Sequence, residues 1–253
     1  MRYVAMIQAR CGSTRLPNKV LADLCGKPVL QRVIERVQKS KNIDEVMVVT
    51  SIERNNLPLI KLCTELDVRV FVGSETDVLD RYYQAARLIS PDYIARITAD
   101  CPLYDWNTLD DMIESINPKT DYYRISNEEF PDGLDTEIIS FKALRKAWKD
   151  ARLVSEREHV TLYIKNHPEE FSLQDYVFPI PNTGHYRWTL DEQSDYQMID
   201  AVYKYFTYMG KEDFGVNDII DYLNSHPEIE ALNGGIVRNE GLLKSLREDH
   251  TVE

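Results

Sequence analysis

Positive charge is the plainest shortage in this chain of 253 residues: 30 lysines and arginines stand against 42 acids, for a formal net charge of −12. A general binder of nucleic acid or of an anionic membrane needs the opposite balance, so neither is an expected partner. One anionic small molecule stays compatible, because a local cluster of cations decides that. Cysteine is scarce too. Cys11, Cys25, Cys63 and Cys101 form no C-x-x-C pair and no zinc-like spacing, which leaves reduced thiols in a cytoplasmic protein as the expectation. No apolar run approaches transmembrane length, and Met1 leads straight into a strand-like segment, so neither a span nor a leader peptide is expected. His167, His185, His226 and His250 show no ligand spacing, and no nucleophilic triad is apparent. Missing as well are a Walker A loop and a G-x-G-x-x-G turn, so any phosphate site must be built another way.

What is present is a globular composition, 43% hydrophobic and 28% charged, long enough to bury a full core. Val4 to Ile7 is a short apolar run that reads as a buried parallel strand. Arg10, Gly12, Ser13, Thr14, Arg15, Asn18 and Lys19 follow within ten residues. Gly12 is expected to permit a turn that other residues resist, and Pro17 to fix the backbone before Lys19. Small residues let several backbone N–H groups aim at one point, and three cations sit beside them. Holding a polyphosphate requires both. Cations in a first loop are more often simply solvated, but three of them interleaved with glycine and serine in an acidic chain favour the phosphate reading.

Downstream, Pro28 stands near a helix start, and Leu30, Val33, Ile34 and Val37 follow at the spacing of a buried stripe. Val46 to Val49 reads as a second strand, 57–66 as a helix and VRVFVG as a third strand. Thr76 or Asp77 can cap a helix carrying Leu79, Tyr82, Tyr83 and Ala86 on one face, and a fourth strand ends at Asp100. This alternation predicts an α/β fold with a Rossmann-like, mostly parallel sheet. From about Tyr122 the rhythm changes. SNEEFPDGLDTEIISF holds a Pro-Asp-Gly turn and then an alternating strand-like run, with helices expected from Lys142 and from Ser155. HYRWTLDEQSDY reads as a strand running into a capped helix with Met198, Ile199, Val202 and Phe206 buried. The expectation is one domain over 1–253, with a middle insertion at about 121–180 and a C-terminal helical extension at about 211–253.

Asp100 falls where RITAD leaves its strand, and Asp191 bears the same relation to the later strand. Ligands of open α/β sheets gather at such ends. Two carboxylates converging there suit a hard ion such as Mg²⁺, held partly by protein and partly by phosphate oxygens. The competing reading makes Asp100 a cap for the helix after Pro102, and spacing alone leaves the two even. Asp132, Gly133, Asp135 and Glu137 read as a turn with acidic flanks. His159 sits on a helix whose buried face carries Val160, Tyr163 and Ile164. Arg187, close to Asp191, is a candidate phosphate or acceptor contact, while amphipathic placement accounts for Arg81 and Arg96.

The pattern Q-A-R-x-G-S-T-R-L-P-x-K resembles the signature of the cytidylyltransferases that make CMP-activated acidic sugars. These include CMP-Kdo and CMP-sialate synthetases and a spore-coat polysaccharide biosynthesis protein F-like branch. The resemblance implies the nucleotide-diphospho-sugar transferase type of fold and a nucleotide site at Ala9, Arg10, Gly12, Ser13, Arg15 and Lys19. Of these, Arg10, Arg15 and Lys19, together with Asp100, would be catalytic. The D-x-P-L turn at Asp100 matches one metal-binding acid of the family, and Asp191 matches the opening acid of the second, although D-E-Q-S-D then departs from the family's D-T-P-E-D. P-D-G-L-D-T-E resembles a segment near the acceptor, so Asp135 is implied there, and E-R-E-H-V-T implies Arg157 and His159 as acceptor contacts. VRNEGLLKSLRED is also similar to the spore-coat branch. The implied reaction is transfer of CMP from CTP to an acidic sugar or related anionic acceptor, with Mg²⁺, in a homodimer. Rival readings are a nucleotidyltransferase for another base, a non-catalytic nucleotide binder, and a glycosyltransferase. The last is disfavoured because no D-x-D element stands near Asp100.

Overall fold

A computed structural model describes residues 1–125, 129–236, 238 and 240–252. The first half runs β1 (Tyr3–Gln8), a small antiparallel ribbon of β2 (Asp23–Leu24) and β3 (Lys27–Pro28), α1 (Val29–Val37), β4 (Glu45–Ser51), α2 (Leu57–Glu65), β5 (Arg69–Gly73), α3 (Val78–Ile89) and β6 (Tyr93–Thr98). Next come α4 (Trp106–Ser115), β7 (Tyr122–Ile125), β8 (Glu137–Ser140), α5 (Phe141–Asp150), α6 (Val154–Glu158), α7 (Leu162–Asn166) and β9 (Leu173–Tyr176). The chain ends in α8 (Gln193–Tyr208), α9 (Val216–Ser225), α10 (Pro227–Glu230) and α11 (Glu240–Arg247).

The main sheet has seven strands in the order β5-β4-β1-β6-β8-β7-β9. β5, β4, β1 and β6 run parallel, β8 lies antiparallel between β6 and β7, and β9 is parallel to β7. Val4 to Ile7 of β1 are all apolar because both faces of the strand are covered: Ala5 and Ile7 enter one core with Leu30, Val33 and Leu109, while Val4 and Met6 enter the other with Leu79, Tyr82 and Leu144. From β1 the chain passes to β4 and β5 on one side, then crosses over to β6 on the other. That reversal opens a crevice at the carboxyl ends of β1 and β6.

Three local expectations change. Segment 121–180 contributes β7, β8 and β9 to the same sheet, and β8 is buried along its whole length rather than alternating, because it is flanked on both edges and both faces. HYRWTL forms no strand; its Arg187 makes one isolated bridge with Asp132, and Leu190 N–H donates to the Asp100 carbonyl at 2.7 Å. The single helix expected through His159 is two short ones, broken where buried Val160 takes a left-handed φ of 45°. Of the segments singled out in the sequence, Ser126, Asn127, Glu128, Val237 and Asn239 lie outside the described residues.

Candidate active site

The loop after β1 is anchored from beneath. The Asn56 side chain accepts from the Cys11 N–H at 2.8 Å and donates to the Ser51 hydroxyl at 2.7 Å, tying the loop to the end of β4. Gly12 is not in the left-handed region, and an added Cβ would meet only the Asn55 side chain at 3.7 Å. The left-handed residue is Asn18, at φ 57°, from which the chain turns into the single 3₁₀ turn that begins at Lys19. Asparagine tolerates that region better than most residues, so the reversal assigned to Gly12 falls to Asn18. The Ala9 N–H is committed to the Val49 carbonyl at 3.1 Å, and Leu16 N–H donates to the Ser13 hydroxyl at 3.4 Å.

Lys19 reaches from this turn into the crevice. Its Nζ lies 2.7 Å from Asp100 Oδ2 and 2.7 Å from Asp191 Oδ1. The Lys19 side chain is only 10% exposed. Burial works against its ammonium, but Asp100 and Asp191 outweigh burial and raise its pKa. Burial would likewise lift Asp100, yet Lys19 and the Thr98 hydroxyl hold it down at about 2. Asp100 caps no helix, since α4 is capped by Asp105, whose carboxylate accepts from the Thr108 N–H and hydroxyl at 2.8 Å each. Neighbouring Cys101 is no nucleophile, because burial and then Asp100 push its thiol well up.

Asp191 is positioned by a second layer. Fully buried Asp195 accepts from the backbone N–H of Asp191 and of Glu192 at 2.9 Å each, fixing the start of α8. Asp195 also binds Arg187 Nε at 2.9 Å and Asn233 Nδ2 at 2.9 Å. Arg187 reaches Asp132 at 2.9 Å and Asp191 Oδ2 at 3.3 Å, and Arg15 meets that same Asp191 oxygen at 3.0 Å. A chain of alternating charge therefore runs from Asp100 through Lys19, Asp191 and Arg187 to Asp132. It continues to Arg238, which approaches Asp132 at 3.7 Å, donates to Asp135 at 3.0 Å and lies 4.1 Å from the Phe130 ring centre. Burial and then Asp135 raise Asp132 to about 6.

Of the residues expected at the site, Arg15, Lys19, Asp100, Asp191 and Arg187 come together, with Asp135 at the far end of the network. Arg10 instead reaches away to Glu75, at 2.7 Å. Arg157 is bound to Asp77 and to the Trp148 carbonyl, so it joins α6 to α3 rather than the Lys19 cluster. His159 packs beside a separate charged cluster in which Glu137 binds Arg96 at 2.7 Å, Lys165 at 2.7 Å and the hydroxyls of Tyr122 and Thr161. Burial lowers the pKa of His159; its buried Nε2 makes no hydrogen bond among the described residues and lies 3.8 Å from Glu158. Asn233 carries no sequence signal, because it acts on residues tens of positions away; Asp195 closes the D-E-Q-S-D element and Arg238 lies in the tail similar to the spore-coat branch, but neither pattern shows which residue each would support.

The donor set suits a magnesium-type ion. Among the described residues no three acids, histidines or cysteines gather into a cage of protein ligands alone. Two carboxylate oxygens aimed at one point match an ion that keeps waters and takes further oxygens from phosphates.

A crevice at the switch point of a mostly parallel sheet, lined by a cationic loop and two converging acids, is the arrangement of a nucleotidyltransferase. The model of the cytidylyltransferase family matches residues 4–228, and the chain belongs to that family. It is 37% identical over 239 residues to the uncharacterized protein MJ1063 of Methanocaldococcus jannaschii, covering 93% of this chain and 96% of that one. It is 35% identical over 230 residues to the spore coat polysaccharide biosynthesis protein SpsF of Bacillus subtilis, covering 88% and 94%. Among solved structures, a cytidylyltransferase from Leptospira borgpetersenii superposes with TM-score 0.86 at 30% identity, covering 94% of this chain and all of that one. The CMP:2-keto-3-deoxy-manno-octonic acid synthetase complexed with CTP shares the fold, with TM-score 0.61 at 16% identity, covering 81% and 99%. No helix among the described residues is long and apolar enough to cross a membrane.

Proposed function

We propose that this enzyme transfers CMP from CTP to an acidic sugar or related anionic acceptor, releasing pyrophosphate, in the biosynthesis of a surface polysaccharide or glycan. The observation that carries this reading is the meeting of Lys19 and Arg15 with Asp100 and Asp191 at the carboxyl ends of β1 and β6. An acceptor oxygen attacks the α-phosphorus in line, a new P–O bond forms, and the bond to the bridging oxygen of pyrophosphate breaks. This chemistry asks the protein for positioning and for charge stabilisation. Residues Ala9 to Lys19 hold the triphosphate. Arg10, Arg15 and Lys19 neutralise the departing phosphates, Arg10 turning in from Glu75. Asp100 and Asp191 would hold Mg²⁺, which when bound offsets charge on the phosphate oxygens and favours the ionised acceptor.

The acceptor lies toward Asp132, Asp135 and Arg187. Arg238, which donates to Asp135 at 3.0 Å and to the Phe130 carbonyl at 3.1 Å, is a second cation beside Arg187 on that side. By likeness to the family the chain forms a homodimer through segment 121–180, where β9 is an edge strand and Leu173 and Val177 stand exposed. The test is pyrophosphate release with each of the four nucleoside triphosphates against a panel of acidic sugars. CTP is expected to support turnover and the others not. A preference for another nucleotide, or Mg²⁺-dependent CTP binding with no turnover on any acid, would overturn the assignment.

A further inference from the structure

Lys19 stands where the cation would. Its nitrogen is 2.7 Å from an oxygen of Asp100 and 2.7 Å from an oxygen of Asp191. Mg²⁺ held by the same two oxygens would sit about 2.0–2.1 Å from each. An ammonium and a divalent ion cannot share that space, and each repels the other. The remaining Asp191 oxygen is engaged by Arg15 and Arg187, so Asp191 has no second free oxygen to offer the ion while Lys19 keeps the first.

Lys19 also has somewhere to go. It is a flexible ammonium on a four-carbon stem, and it begins the turn that closes the loop carrying Arg10, Ser13 and Arg15. A triphosphate in that loop offers oxyanions within the sweep of the same side chain.

Resting on the reading of Asp100 and Asp191 as the ion-binding pair, we propose that Lys19 is an exchangeable occupant of that pair. Before substrate arrives it holds the two acids together. When the triphosphate enters, its oxyanions draw the ammonium away and the two carboxylates pass to the divalent ion. Nucleotide and ion therefore bind with positive coupling, and the coupling is reciprocal. Lys19 serves as a positioning residue before the reaction and as a phosphate contact during it.

The experiment measures Mn²⁺ binding without nucleotide, by the electron paramagnetic resonance of the free ion, in the wild type, Lys19→Met and Lys19→Gln. Release of a charge-assisted pair corresponds to about ten-fold or more in affinity, so both variants should bind Mn²⁺ at least that much more tightly than the wild type. Adding Asp100→Asn to Lys19→Met should abolish the gain. Because the loss of Lys19 leaves Asp100 without its cation and can threaten the fold, the rise in melting temperature on adding Mn²⁺ is a second readout, and it should be larger in the Lys19 variants than in the wild type. Equal or weaker Mn²⁺ binding by both variants overturns the proposal, as does a gain that survives Asp100→Asn. The proposed reaction can fail separately: if the Lys19 variants gain Mn²⁺ affinity but no nucleotide yields pyrophosphate, only the functional assignment falls. Metal-dependent CTP turnover without that gain removes only the exchange.

Discussion

At the scale of the residue, the site depends on which groups share partners. Arg15→Ala and Lys19→Ala should each lower kcat/KM by the equivalent of about 1.5–3 kcal/mol, the worth of one charged hydrogen bond, measured by pyrophosphate release. Unchanged kinetics in both would remove the triphosphate site from this loop. Asp100→Asn should abolish turnover while the melting temperature stays within a few degrees, because the capping of α4 belongs to Asp105. Asp105→Ala should do the reverse, costing about 1–2 kcal/mol of stability and leaving the chemistry intact. The cationic loop is legible from the sequence by its own chemistry, whereas spacing leaves Asp100 even between an ion ligand and a cap, and only the family resemblance pairs it with Asp191. The roles of the supporting residues are not legible. Asp195 is in view as the closing acid of D-E-Q-S-D, but its supporting role is not, because only the folded backbone turns it inward beneath Asp191. Gly12 drew attention as the glycine of the loop, yet the turn is made by Asn18.

At the scale of the element, apolar runs and helical spacing gave β1, β4, β5, β6, α1, α2 and α3 to within a residue or two, since each is decided by its own pattern of burial. The segments that failed are those whose conformation is set by distant contacts. HYRWTL has the composition of a strand but is pinned at Arg187 and Leu190 to two other loops, so it never gains a strand neighbour. Gly133 shows how tight that docking is: it sits at φ +107°, and an added Cβ would lie 2.7 Å from Thr189 N and from Trp188 C. Gly133→Ala should therefore cost about 2–3 kcal/mol of stability, from strain and clash together, and should depress activity by displacing Asp132 from Arg187; denaturant melts and initial rates check both.

Glu137 lends the β8 region a distinct pH dependence. Burial would raise its pKa, but Lys165 and Arg96 outweigh that and hold it well below the usual carboxylate range. A carboxyl depressed in the folded state stabilises above its unfolded pKa, and that stability fades as the pH falls through the folded value. Glu137→Gln should thus cost about 3 kcal/mol at neutral pH, leaving Arg96 and Lys165 without their shared anion. The gap to the wild type should narrow as the pH drops below the ordinary carboxylate range, and urea melts across that range would show it. A gap that stays constant with pH would mean the carboxylate is not the stabilising group.

At the scale of the whole molecule, the chain returns to its own site from far away. After α9 the C-terminal segment sends Asn233 to Asp195 and to the Arg187 carbonyl, and Arg238 to the acidic turn. It then passes α11 and joins α6, where Asp249 accepts from the Ser155 N–H at 3.0 Å and Thr251 pairs with Leu153. Deleting residues 231–253 should leave the sheet folded, with far-ultraviolet circular dichroism near that of the full chain, but should lower kcat/KM by at least about ten-fold as Asp191 and Arg187 lose their support. In solution the full chain should scatter light with twice its mass of 29.4 kDa, and a lysine at Leu173 together with an aspartate at Val177 should return it to the monomer.

The buried carboxylate of Asp195 carries a consequence for the order of assembly. It fastens the turn before α8, the Arg187 side chain and Asn233 at a single point, so the reaction centre is completed only after the segment that follows α10 has been made. A nascent chain stalled before Asn233 emerges would already own its sheet and its cationic loop, yet would fall as far short in kcat/KM as the shortened chain, by about ten-fold or more. Activity would rise in one step once Asn233 has emerged and docked on Asp195, which translation complexes stalled at successive lengths would make visible.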